Sequence, residues 1–106
     1  VSAELNGLQI GEQSRKYFLL SRADPATPSP TITAVGGHKT IASVAHLVSK
    51  RKFSIAELRR ICAFPDDFIL TGTYKQQWER LGRAVPPVMM MHIAKTIQNE
   101  ILNRCQ

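Results

Sequence analysis

Two cysteines and three histidines are the side chains of this chain best suited to covalent or metal chemistry. A cysteine nucleophile needs a base at its side and donors for the developing oxyanion, and neither Cys62 nor Cys105 sits in a local pattern that supplies them. There is no CxxC. Neither cysteine stands at ligand spacing from His38, His46 or His92, so no zinc site is expected. The three histidines read as loop or helix residues without a chemical role. Free cysteine is among the most buried residue types, and both thiols are expected to be buried, structural and reduced, as in an intracellular protein. The chain carries no GxxxxGK[ST], HExxH or GxGxxG pattern, and no Ser/His/Asp set follows from spacing.

What remains is charge. Fourteen Lys and Arg against eight Asp and Glu leave a formal net charge of +6, a balance that favours polyanionic partners, nucleic acid above all. Arg15, Lys16 and Arg22 bracket one apolar stretch. They either guard a solvated strand edge or touch phosphate. Lys50, Arg51 and Lys52 form a second cluster, and Arg59 and Arg60 follow. Arg51 and Arg60 suit surface charge, or an ion pair with Asp66 or Asp67, as well as they suit an anionic partner.

The elements that must position these groups are short. Residues 16–21 are rich in large apolar side chains and predict a strand. Residues 23–40 hold Pro25, Pro28, Pro30, Gly36 and Gly37 and are mainly loop. Within it, residues 31–35 have the β-branched content of a short strand, and residues 43–48 predict a weaker one. From Ser54 the period becomes helical. Ser54 and Glu57 form an S-x-x-E capping box, Ile55, Leu58, Ile61 and Cys62 follow the helical repeat, and Pro65 is expected to end the helix. A second helix spans 74–82, anchored by Trp78 and Leu81 and stopped by Gly82. A third begins at Pro87, whose missing N–H costs nothing in a first turn, and is expected to run to about Arg104. Its later half is amphipathic. Its start, Val88, Met89, Met90 and Met91, is apolar on every face and must be enclosed on every face. The methionines are therefore read as core, and the chain as incomplete without a larger partner. Met is absent at the first position, consistent with a cut piece or a processed subunit.

The bulk composition, 43% hydrophobic and 21% charged over 106 residues, is that of one small soluble domain. No apolar run approaches the roughly 18 residues of a membrane helix, and no secretory leader is visible. The two central helices resemble a helix-turn-helix, but that motif joins its helices by about 3–4 residues, and here residues 65–73 intervene. A stand-alone, non-enzymatic DNA-binding helical module is the alternative this leaves.

Three stretches in fixed order resemble the C-terminal end of DNA (cytosine-5) methyltransferases: PSPTIT (28–33), RKFSIAELRRICAFPDDF (51–68) and WERLGRAVPP (78–87). The second is similar to the family's ninth motif, R-x-L-T-x-R-E-x-x-R-L-Q-x-F-P-D-x-F. Arg51, Glu57, Arg60, Phe64, Pro65, Asp66 and Phe68 match it, while Ala56 and Cys62 lose a charge and an amide. The third is similar to the tenth motif, Y-x-Q-I-G-N-A-V-P-P. Gly82, Ala84, Val85, Pro86 and Pro87 match, Trp78 stands for Tyr, and Arg83 replaces the usual Asn.

The resemblance implies an α/β fold, α+β for this piece alone. Short strands from the tail of a target-recognition domain lead into three helices, and the last packs on a Rossmann-like methyltransferase sheet supplied from elsewhere. It divides the chain into a recognition-domain tail (1–23), a Pro/Gly-rich connecting region (24–50) and a helical C-terminal part of the catalytic domain (51–106). It implies S-adenosylmethionine as cofactor, with Arg83, Ala84 and Val85 against it. It implies duplex DNA as partner, with Arg15, Lys16, Arg22, Arg51 and Arg60 as candidate contacts, Arg51 and Arg60 alternatively holding the recognition domain. The activity implied is methyl transfer to C5 of cytosine in a bacterial, cytoplasmic restriction–modification system. The family's Pro-Cys nucleophile loop, its Glu-Asn-Val segment and its glycine-rich cofactor loop lie upstream of these motifs. Cys62 does not resemble that nucleophile, so this chain alone is expected to be inactive. Its partner would be the N-terminal catalytic portion, and in its absence the Val88–Met91 surface is expected to self-associate.

Overall fold

The computed structural model describes residues 2–105. The chain is a small α+β body from which one helix projects. A short helix, α1 (Ser2–Gly7), precedes two minimal strands, β1 (Ser21–Arg22) and β2 (Val44–Ala45), and three helices follow: α2 (Ile55–Ile61), α3 (Tyr74–Arg83) and α4 (Pro87–Glu100). A 3-10 turn, Leu102–Cys105, ends the described chain. The α1 helix was not legible in the sequence.

The strands pair in parallel, Ser21 opposite Val44 and Arg22 opposite Ala45. Antiparallel bridges from Gln13 to Ser21 and from Ala45 to Lys52 add one residue of width on each side. The strand expected over 16–21 is a turn until its last residue. Ser14 is the cause: its Oγ accepts from the backbone N–H of both Lys16 and Tyr17, and Leu20 N–H bonds to Tyr17 O. A hydroxyl that captures its own downstream amides turns the chain. Of residues 43–48, expected as a strand, only Val44–Ala45 form one, β2. Residues 31–35 do not form a strand. They lie across α3, where Thr33 O accepts from Trp78 Nε1 at 2.9 Å.

The capping box of α2 is formed as the sequence predicts, Ser54 Oγ accepting from Glu57 N–H and Glu57 Oε2 from Ser54 N–H. Its end is not set by Pro65. The helix stops at Ile61, and Ala63 takes φ 61°. Ala63 N–H then bonds to Arg60 O and Phe64 N–H to Arg59 O, the paired bonds of a left-handed helix terminus. Nor does Gly82 stop α3, which continues through it to Arg83. A Cβ at residue 82 would lie 2.6 Å from Ala34 N and Cα. The glycine is there for close approach of a loop, and the helix ends because Ala84 turns extended (φ −75°, ψ 149°) ahead of the two prolines.

Trp78 and Leu58 are fully buried and organise the main core with Phe53, Val44, Cys62 and Leu81. Gly36 and Gly37 close over the indole so tightly that a Cβ on either would fall 2.6 Å from Trp78 atoms. Tyr74 Oη donates to Phe53 O at 2.7 Å, tying α3 to the residue that leads into α2. A second, smaller cluster joins Leu5, Leu8, Leu20 and Ala45 beneath α1.

The α4 helix has no buried residue. Val88, Met89, Met90, Met91, Ile93 and Ile97 are each 43–51% exposed. The radius of gyration is 16.4 Å and the long axis 59 Å, against about 13 Å for the radius of a compact chain of this length. The excess is α4, standing clear of the body. The methionines, expected to fill a core that a missing portion contributes, are half-exposed in this chain, which does not enclose them. The helix also ends earlier than expected, at Glu100, because Ile101 leaves helical geometry (φ −120°, ψ −65°).

Candidate functional site

The ninth-motif match becomes a brace. Arg51 and Glu57 form a two-pronged pair, Nη1 to Oε2 and Nη2 to Oε1, both 2.9 Å. Arg60 pairs with Asp66 the same way, through Nε and Nη2 at 2.9 Å each. The expected alternative of an ion pair thus holds for Arg60. For Arg51 the partner is Glu57, not Asp66 or Asp67, because the capping box already brings Glu57 back to the start of α2. The Arg51 bonds, then those to Ser54, hold the Glu57 carboxyl down at about 2. Such fork-to-fork pairs fix geometry as much as they add energy, and here they fix the turns into and out of α2.

His46, given no role in sequence, is part of the same brace. Its Nδ1 accepts from Val48 and Ser49 N–H, its Nε2 lies 3.5 Å from Glu57 Oε1, and its ring meets Phe53 edge-on at 5.6 Å between centroids. Lys52 is the other residue that spacing could not reveal. Its ammonium donates to Gly36 O, His38 O and Ile41 O at 2.5, 2.6 and 2.8 Å. A partly buried cation thereby satisfies three loop carbonyls at once and pins the Gly36–Gly37 turn onto Trp78.

The thiols divide. Cys62 is buried in the core and burial pushes its pKa up, the direction that disfavours a thiolate nucleophile. Cys105 is exposed, contrary to the expectation for it: the short 3-10 turn that carries it packs on nothing but the end of α4. Among the described residues no three His, Cys, Asp or Glu side chains gather as a metal cluster, and no helix is long and apolar enough to cross a membrane.

The tenth-motif residues lie together at the junction of α3 and α4. Arg83 is largely exposed and reaches Glu79 at 2.9 Å one turn back. Ala84 carries its N–H into the end of α3, bonding to Arg80 O and Leu81 O, and Val85 is exposed. This is one open edge with a guanidinium, an extended backbone and an apolar side chain. Those groups fit a carboxylate-bearing ligand with an apolar body, and Glu79 already occupies part of the guanidinium.

The candidate phosphate contacts do not converge. Arg15 and Lys16 are exposed on the turn after Ser14. The Arg22 guanidinium is spent internally, on Leu8 O at 2.9 Å and Val48 O at 3.1 Å. Arg51 and Arg60 flank α2, each on its carboxylate.

A family model, C-5 cytosine-specific DNA methylase, matches residues 5–99. Among curated relatives, the type II methyltransferase M.SacI of Streptomyces achromogenes is 27% identical over 96 residues, 84% of this chain and 25% of that protein. M.AquIB of Picosynechococcus sp. is 30% identical over 109 residues, 92% of this chain and 76% of that protein. M.NgoFVII of Neisseria gonorrhoeae is 39% identical over 70 residues, 66% of this chain but 18% of its own length. The chain thus spans a quarter or less of two of these relatives and three quarters of the third. No solved structure matches it significantly. With the family match running through the brace, the core loop and the α3–α4 junction, the chain belongs to the C-5 cytosine-specific DNA methylases.

Proposed function

We propose that this chain is the C-terminal portion of a DNA cytosine-5 methyltransferase of restriction–modification type, and that it completes the enzyme by docking α4 into the upstream catalytic portion. The observation that carries this reading is the α4 surface. Six apolar side chains, Val88, Met89, Met90, Met91, Ile93 and Ile97, stand about half exposed on α4, and full burial of such a side chain yields roughly 1.5–3 kcal/mol. Half of that for each sums to roughly 4.5–9 kcal/mol, comparable with the stability of a typical domain. A surface of that value is built to be covered. A polypeptide most of whose length this region accounts for bears the name type II methyltransferase M.AquIB, which supports a division of such an enzyme between chains.

In this reading S-adenosylmethionine supplies the methyl group. Arg83, Ala84 and Val85 form one wall of its site, the guanidinium facing the cofactor's carboxylate and Val85 its apolar part, with docking of α4 fixing their position. The Arg51–Glu57 and Arg60–Asp66 pairs hold α2 as the rigid link between a recognition-domain tail and the catalytic part. Arg15 and Lys16, whose side chains make no hydrogen bond or ion pair among the described residues, approach duplex phosphate, Lys16 from over the Tyr17 ring. Buried Cys62 takes no part in the chemistry, and the nucleophile comes from the upstream portion.

The test is complementation. Mixing this chain with the separately produced upstream portion should restore methyl transfer from S-adenosylmethionine to duplex DNA, while neither part alone transfers. Inactivity of the mixture with several well-folded upstream portions overturns the proposal.

A further inference from the structure

A cavity of about 240 Å³ opens beside α1, β2 and the residues that lead into α2. Lys39, Lys50, Arg51 and Lys52 line it over an apolar floor that includes Leu20, and no carboxylate lines it. Glu57 neutralises Arg51, and Lys52 is turned to loop carbonyls. Lys39 and Lys50 are exposed and, among the described residues, neither has an acidic partner. Lys50 reaches across the cavity to Asn6 O at 2.6 Å, so its ammonium is held in place by a neutral acceptor. Ser43 lines the same cavity, is 5% exposed, and its hydroxyl has no hydrogen-bond partner. A buried hydroxyl without a partner is uncommon and costly, and an oxyanion beside it would supply the acceptor.

We propose that this cavity is a phosphate-group site, with the Lys39 and Lys50 ammonium groups as charge and Ser43 Oγ as hydrogen-bond donor. Cations that line one small cavity with no carboxylate in its wall attract anions over the screening distance of about 8 Å at physiological salt. Three residues with donor groups lining one small cavity suit the oxygens of a tetrahedral anion. The phosphate has two available sources, the backbone of duplex DNA or a free phosphate or nucleotide. The first rests on the methyltransferase reading above, and the site itself does not. None of these three residues belongs to the motif matches.

The experiment titrates the full 106-residue chain with inorganic phosphate, following backbone amide shifts, and with a short duplex, following fluorescence anisotropy. Lys39→Gln together with Lys50→Gln should weaken inorganic phosphate by about tenfold, the scale of losing a hydrogen bond to a charged group. The salt slope of duplex binding should become shallower by about 0.9 for each DNA phosphate that the variant no longer neutralises. Lys95→Gln, on α4 and remote from the cavity, should change neither. Ser43→Ala removes the unpartnered hydroxyl, should fold at least as stably, and should still weaken phosphate. Unchanged phosphate affinity in both the double variant and Ser43→Ala overturns the site. Weakened phosphate with unchanged duplex binding overturns DNA as its source. Neither result depends on methyl transfer, so failure here is distinct from failure of complementation.

Discussion

Replacing Gly82 by alanine sets two effects of known size against each other. Alanine is the better helix former by about 1 kcal/mol in a helix interior, an upper limit at Gly82, the penultimate residue of α3. On propensity alone the variant is stabilised. Against this, the new Cβ would meet Ala34 N and Cα at 2.6 Å and Thr33 C at 2.8 Å. All three are backbone atoms, and no rotamer change relieves them. Reaching an ordinary contact near 3.4 Å requires the loop to retreat by almost 1 Å. That loop carries Thr33 O, the acceptor for the buried Trp78 Nε1 at 2.9 Å, and the two glycines that seal the indole. Overpacking of this kind costs about 1–3 kcal/mol, and stretching a buried indole hydrogen bond about another 1 kcal/mol. The net expectation is destabilisation by about 1–3 kcal/mol, which for a chain of this size lowers Tm by roughly 4 °C or more. Urea unfolding followed by Trp78 fluorescence measures it directly. Gly7→Ala is the control, since a Cβ there meets nothing within 4 Å, and it should be neutral or slightly stabilising. An alanine at 82 as stable as the parent, with the indole still bonded to Thr33, refutes the close-approach reading and returns Gly82 to the role of helix terminator.

Three further outcomes follow from the site. Ala63→Gly relieves a left-handed alanine at the end of α2 and should stabilise the chain by about 0.5–1 kcal/mol in the same urea assay. Glu57 has its folded pKa depressed from 4.5 to about 2. Its contribution is therefore full above about pH 4.5 and is lost as pH falls from there toward 2. Glu57→Gln should flatten that acid limb of the stability profile, and an unchanged limb contradicts the brace. In the complemented enzyme, Glu79→Gln frees the Arg83 guanidinium from its ion pair and should tighten S-adenosylmethionine by a few-fold in calorimetric titration. An unchanged affinity places Arg83 away from the cofactor.

Local signals were legible where the physics is local. The Ser54–Glu57 capping box, Trp78 and Leu81 as anchors, and Pro87 in a first helical turn all depend on neighbours within one or two turns, and all stand as read. The failures share a cause. Gly82 and residues 31–35 owe their conformations to each other across the chain, a meeting that neither stretch advertises. The turn at Ser14 overrode an apolar run through one hydroxyl. Lys52 and His46 act on backbone groups, which carry no sequence signal. Apolar residues wrapped fully around the start of α4 did signal a missing neighbour, because no amphipathic packing could satisfy them. The family resemblance placed the motifs, and the geometry then assigned Arg51, Glu57, Arg60 and Asp66 to bracing α2 and Gly82 to the close approach of a loop on α3.

The central claim is that the rest of a methyltransferase covers α4. Methionine oxidation read by mass spectrometry, on this chain alone and on the same chain assembled with the upstream catalytic portion, tests it most directly. Met89, Met90 and Met91 are 44–51% exposed here and should oxidise rapidly in the isolated chain at low concentration. On assembly their oxidation should slow by about tenfold or more, as burial removes solvent access. Equal rates in the two states would contradict the account, as would thioethers already sheltered in the isolated monomer.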